Sequence, residues 1–233
     1  MNSSSPHIRY PAEVAQASSR HSARRTAGWK PALLSVIGLL LLTGCSLVPK
    51  PQADPTRYYV LTAGSQAEAG GESASTGSLV LGVRRVEIAP YLNGKDMVVR
   101  ESGNEIAYQN FARWAEPLTT SINRALVGGL AQSDKVTRVY LQPFPFDSQR
   151  DYDVTVRVLR CEGERRADGQ TVASFSAQVE VAAAKSGGAV IVRKVFVAPE
   201  APWDGKDFGA LARLLSEAVQ ALGADLAAAL PAR

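Results

Sequence analysis

Thr171 to Ala184 reads TVASFSAQVEVAAA, and its alternation decides the fold. Ala173, Phe175, Ala177, Val179 and Val181 share one face, with Ser174, Ser176, Gln178 and Glu180 on the other. Successive side chains of a strand point to opposite sides, so this is a strand with one face buried and one in water. Tyr152 to Cys161 alternates before it, and Val190 to Val197 follows across Gly187-Gly188. Three such runs joined by short turns form an antiparallel meander, because parallel neighbours need a much longer crossover.

A half-buried sheet needs a cover, and the last segment carries the cleanest helical period of the chain. Phe208, Leu211, Leu215, Ala218, Leu222, Leu226 and Leu230 recur at steps of three or four, with Asp204 or Asp207 to cap them and Pro231 to end them. A second helix is predicted over about Ala115 to Gln132, with Pro117 in its first turn and Leu118, Ile122, Leu126 and Leu130 on one stripe. Gly128-Gly129 inside it should cost about 1 kcal/mol each relative to alanine. They point to close packing against a sheet or another helix.

Further upstream the runs are shorter. Arg57 to Thr62 is β-rich, and Leu79 to Ala89 follows with a change of parity at Arg84-Arg85 that predicts a bulge or a change of burial. Pro90 to Gly94 reads as a turn, Asp96 to Arg100 and Glu105 to Phe111 as a hairpin around Gly103-Asn104, and Val136 to Leu141 as a strand ahead of Pro143-Phe144-Pro145. The expectation is an α/β domain with a mixed, largely antiparallel sheet and two principal helices.

The first 44 residues have another purpose. Pro31 to Leu42 holds only apolar, Gly, Pro and Ser residues, and Arg20, Arg24, Arg25 and Lys30 precede it, which is the order of an export signal. A helix over twelve residues reaches roughly 18 Å, short of the roughly 30 Å hydrocarbon core that a permanent span must cross. Leu42-Thr43-Gly44 then lead into Cys45, whose thiol would accept a diacylglyceryl group before the bond on its amino side is cut. An ordinary signal peptide with a coincidental cysteine, or a re-entrant helix, is the alternative. Acyl chains such as palmitate, at about 0.8 kcal/mol per buried methylene, would hold the protein without a spanning helix. Ser46 resembles the residue that follows the cysteine in bacterial lipoproteins released to the outer membrane. The organisation is therefore residues 1–44 as signal peptide, 45–56 as a Pro-rich tether and 57–233 as one domain, with a Gly/Ser-rich surface loop over Ala63 to Ser78.

Processing also changes the electrostatics. The chain has 26 basic and 22 acidic residues, but the leader holds five of the former and one of the latter, leaving 21 of each. A basic footprint for nucleic acid disappears with the leader. His7 and His21 are the only histidines and both precede Cys45, so histidine bases, triads and metal sites are excluded downstream. With Cys45 acylated, Cys161 has no disulfide partner and reads as a small buried hydrophobe rather than a reactive thiol. No cofactor or metal is expected beyond the covalent lipid on Cys45.

Few residues are candidates for a site. Asp151 with Asp153, or Glu162 with Glu164, share one face of a strand end, but an acid/base pair must converge across a cleft. Arg84-Arg85 and Arg165-Arg166 read as lipid or phosphate contacts or as solvated faces. Tyr91, Asn93 and Lys95 on the turn are partner contacts if exposed. Arg113 and Trp114 suit a partner interface by residue type, or else Trp114 packs at the helix start and Arg113 pairs with a carboxylate.

Val83 to Leu92, Asp96 to Val99, Ile106 to Phe111 and above all Arg113-Trp114-Ala115-Glu116-Pro117-Leu118 resemble the ABC-type transport auxiliary lipoproteins. Tyr58-Tyr59-Val60-Leu61 soon after the cysteine and the closing amphipathic helix extend the resemblance over most of the chain. The resemblance implies a three-layer α/β fold and a non-enzymatic lipoprotein on the periplasmic face of the outer membrane. It further implies a homo-oligomer that docks the periplasmic MCE-domain protein of an intermembrane lipid transport system. The competing expectation is a structural or assembly lipoprotein acting on an outer-membrane protein or peptidoglycan.

Overall fold

The computed structural model describes residues 52–62, 77–185 and 187–231. Leu42, Thr43, Gly44 and Cys45, most of the tether and most of the Ala63–Ser78 loop lie outside those residues. Residues 54–233 form one unit with its own core, which runs from Leu61 to Leu230. Among the described residues no helix is long and apolar enough to cross a membrane.

The chain runs through β1 (Arg57–Tyr59), β2 (Leu79–Val83), β3 (Glu87–Ile88), a 3-10 turn at Pro90–Leu92, β4 (Asp96–Ser102), β5 (Glu105–Trp114), helix α1 (Leu118–Ala131), β6 (Val136–Leu141), β7 (Tyr152–Arg165), β8 (Thr171–Ala183), β9 (Val190–Val197), β10 (Ala201–Pro202) and helix α2 (Phe208–Ala229). The sheet is mixed, as the sequence predicts, and β7 is its axis. Along one side of β7 runs β8, antiparallel from Tyr152↔Ala183 to Arg165↔Thr171, and β9 follows antiparallel on β8. The other side is taken in turn by β2, β3 and β4, all parallel to β7. β6 pairs parallel with β2, β5 antiparallel with β4, and β1 parallel with β5. The edges at β1 and β9 are thus on opposite sides of β7.

The expected continuous strand over Leu79–Ala89 is two strands. β2 ends at Val83, the Arg84 N–H donates to Val154 O at 2.9 Å, and the chain resumes pairing with β7 at Glu87. That step is the parity change read at Arg84-Arg85. A second parity change falls inside β7, where the register with β8 shifts between Val158 and Arg160. Val154, Val156 and Val158 face the core before it, and Cys161 and Gly163 after it, opposite Phe175 and Ala173. A side chain at Gly163 would meet the Trp203 ring, since its Cβ would lie 2.6 Å from a ring carbon.

Helix α2 buries Leu211, Leu215, Val219, Leu222 and Leu226, and α1 buries Leu118, Ile122, Leu126 and Leu130. Asp207 is the cap of α2, its Oδ1 accepting from the N–H groups of Gly209 at 2.8 Å and Ala210 at 3.1 Å. α1 starts three residues later than predicted, because Pro117 adopts an extended ψ of 131° and stands before the first turn. Gly129 has the explanation anticipated for the pair: a Cβ on it would lie 3.7 Å from the Gly223 Cα, so the two helix backbones nearly touch.

Candidate functional site

Reversal of parity in β7 turns Arg160, Glu162 and Glu164 onto the face away from the helices. Glu162 is nonetheless fully buried, because the Pro90–Leu92 turn folds over it. Arg100, on β4, donates from Nε to Glu162 Oε1 at 2.7 Å and from Nη1 to Gly103 O at 3.1 Å. Arg160 lies 3.7 Å from the same carboxylate oxygen and donates to Glu164 at 2.9 Å. Glu162 Oε2 has no hydrogen-bond partner among the described residues.

Tyr91 closes the cluster. Its O–H donates to Leu159 O at 3.1 Å, its ring lies 5.8 Å from the Arg100 guanidinium, and Tyr108 O–H donates to its carbonyl at 3.3 Å. Burial, and then the Glu162 carboxylate, push the Tyr91 phenol above its ordinary value, so it remains a neutral donor. Burial, followed by the charge of Glu162, likewise raises the Cys161 thiol, which is 2% exposed and unreactive for that reason.

The remaining candidates separate cleanly. Asn93 and Lys95 are exposed on the turn that Tyr91 fixes. Arg113 pairs with Asp96 at 2.9 Å. Trp114 is only 4% exposed and belongs to the core, so its indole offers no surface, while its backbone N–H holds the turn by donating to Lys95 O at 2.7 Å. Asp153 is held by Arg150 at 2.8 Å and Arg84 at 3.2 Å, and Asp151 accepts from Val80 N–H at 2.8 Å. With Glu162 and Glu164 in their own ion pairs, neither carboxylate pair meets across a cleft. Arg165 pairs with Glu101 and Arg166 with Glu200.

Sequence reasoning missed the outward aromatics beside the turn. β5 bulges between Tyr108 and Arg113, where four residues oppose the single Met97 of β4, and the bulge turns Asn110 and Phe111 outward in succession. Phe111 and Tyr58 are each 59% exposed, Tyr108 is 50%, and Tyr58 sits beside Arg113 in the parallel register. The spacing of three between Phe111 and Trp114, which breaks a period of two, was the available signal.

The comparisons agree with this architecture. The family model described as "ABC-type transport auxiliary lipoprotein component" matches residues 59–227. Protein XCC0632 of Xanthomonas campestris, solved by crystallography, is similar at a TM-score of 0.61 and 19% identity, covering 74% of this chain and 93% of its own. A crystal structure of an uncharacterized protein is similar at a TM-score of 0.54 and 20% identity, covering 74% of this chain and 97% of its own. At those identities the likeness concerns the fold alone. A search among curated proteins finds no match to the chain.

Proposed function

The chain belongs to the ABC-type transport auxiliary lipoproteins, and from that membership we propose that it serves an MCE-type intermembrane lipid transporter as a non-catalytic docking subunit. The lipid on Cys45 holds it at the periplasmic face of the outer membrane. The exposed turn at Asn93 and Lys95 meets the MCE-domain component, and copies of the chain assemble with one another around it. The observation that carries the reading is the family match over residues 59–227, which follows a lipid-acceptor sequence at 42–45.

The physical arrangement is compatible with such a role. A docking turn must hold its shape in the absence of its partner, and this one is fixed by Tyr91, the Lys95 carbonyl and the buried Arg100–Glu162 pair. Native mass spectrometry on protein extracted gently from membranes tests the reading in one spectrum. The expected result is an acylated oligomer that retains an MCE-domain protein, and Lys95→Glu should reduce that retention. An acylated monomer that never co-isolates or crosslinks with an MCE-domain protein would overturn it.

A further inference from the structure

The edge of the sheet at β1 and β5 is exposed and aromatic, and it carries the exposed cation of Arg57. Tyr58, Val60, Tyr108 and Phe111 are all among the exposed large apolar residues, and the Arg57 guanidinium has no carboxylate partner among the described residues. Pro55 lacks an N–H and cannot extend β1 backward, so the outer edge of β5 from Glu105 to Phe111 carries no strand. From this edge the chain leads back to the lipid acceptor.

We propose that the β1–β5 edge rests on the bilayer surface, with Tyr58, Phe111 and Tyr108 in the headgroup region and Arg57 against anionic lipid phosphates. This orientation rests on the anchoring proposed above and on geometry. Arg57 is twelve residues from Cys45, so the connecting chain spans at most about 40 Å and on average roughly 20 Å. The part of the domain kept closest to the lipid is therefore this edge. Amphipathic Tyr rings and a cation are the side chains that such an interface favours, the rings for their polar ends and the cation for the negative surface potential.

Chemistry at the opposite edge makes the contrast. β9 also exposes apolar side chains, Val190, Ile191, Val195 and Val197, but they are aliphatic, and its cations are neutralised by Glu180 and Asp225. Nothing there attracts an anionic surface. The turn bearing Lys95, bonded to Trp114 N–H at the end of β5, stands at the rim of the proposed contact. A transporter component docked on that turn is held where it can reach the membrane.

The test uses the full acylated protein reconstituted in phosphatidylethanolamine/phosphatidylglycerol vesicles containing a nitroxide-headgroup lipid. A fluorophore is placed through Asn110→Cys beside the aromatic edge or through Val195→Cys on the far edge, with the buried Cys161 left unlabelled. The expected result is severalfold stronger quenching at 110 than at 195. Tyr58→Ser/Phe111→Ser should abolish the difference while the acyl mass on Cys45 is retained, and Arg57→Gln should lower the docked-to-undocked ratio about fivefold. Equal quenching at the two positions, with the acyl mass present, overturns the proposed orientation and leaves the anchor intact. Absence of the acyl mass overturns the anchoring reading itself.

Discussion

On one side of β7 the sheet continues through a long antiparallel ladder of thirteen residue pairs to β8, interrupted only at Leu159, and from there to β9. On the other side three short parallel ladders, of three, two and two pairs, attach β2, β3 and β4, and only the last of these carries β5 and β1. The far half is therefore joined to the axis by backbone, and the tether half largely by side chains: the Arg100–Glu162 pair, the Tyr91 clasp and the shared core. The half that carries β1 and presents the turn is the half that can be loosened separately. Local opening energies differ within one domain when contact density differs in this way.

Phe175→Ala should have the largest effect and should blur the comparison. Phe175 sits opposite Cys161, edge-on to Phe196 with centroids 6.3 Å apart, in the core both halves share. Its removal should cost about 3–5 kcal/mol, read by denaturant unfolding, with amide exchange accelerated in both halves alike. Arg100→Leu should sharpen it. Stranding the buried Glu162 carboxylate costs about 3 kcal/mol, at the low end for a broken buried pair because Arg160 stands 3.7 Å away. Exchange should rise at 57–60 and 105–114 while 171–197 changes little; a uniform rise would mean the halves are coupled as one unit.

The two edges differ in their defence against strand addition, and that is open to attack as well. Arg193 and Lys194 sit in the middle of β9, and antiparallel pairing of two copies about this point would oppose like charges. Arg193→Val/Lys194→Val should change stability by no more than about 1 kcal/mol, since both are exposed pairs. It should nevertheless give concentration-dependent association in light scattering. A monodisperse double variant would show that the cations do not guard the edge.

Most of the frame was legible because its signals are periodic. The face of Thr171–Ala184, the stripes of both helices, an aspartate cap at 204 or 207 and the turn at Gly103-Asn104 follow from spacing alone. What escaped depends on interruptions of period. A single residue at Leu159 decides that Cys161 faces the core and Glu162 the other side, and nothing in CEGER announces it. The burial of Glu162 depends on a turn some 70 residues away in sequence, and the exposure of Phe111 on a bulge set by the pairing of β4 with β5. Trp114 shows the converse: a residue type enriched at interfaces packs inward here because its strand position is even with that of Ala112, which is also buried.

Acid offers the mildest way to separate the halves. Glu116, just before α1, accepts from Ser121 Oγ at 2.7 Å and from Arg124, and Arg124 also reaches the Leu61 carbonyl at 3.5 Å, just past β1. The Arg124 hydrogen bond, then that of Ser121, holds the Glu116 carboxyl below its ordinary value of 4.5. A carboxyl whose folded value is depressed contributes stability that is present above the ordinary value and lost as pH falls through the folded one. Below about pH 4.5, then, protonation should release Arg124 and free the segment that leads out of β1, before the β8–β9 ladder responds. Arg124→Met should flatten the pH dependence of exchange at 57–62 in this window while leaving 190–197 unchanged. An unaltered profile at 57–62 would assign the acid sensitivity of the tether half to another carboxylate.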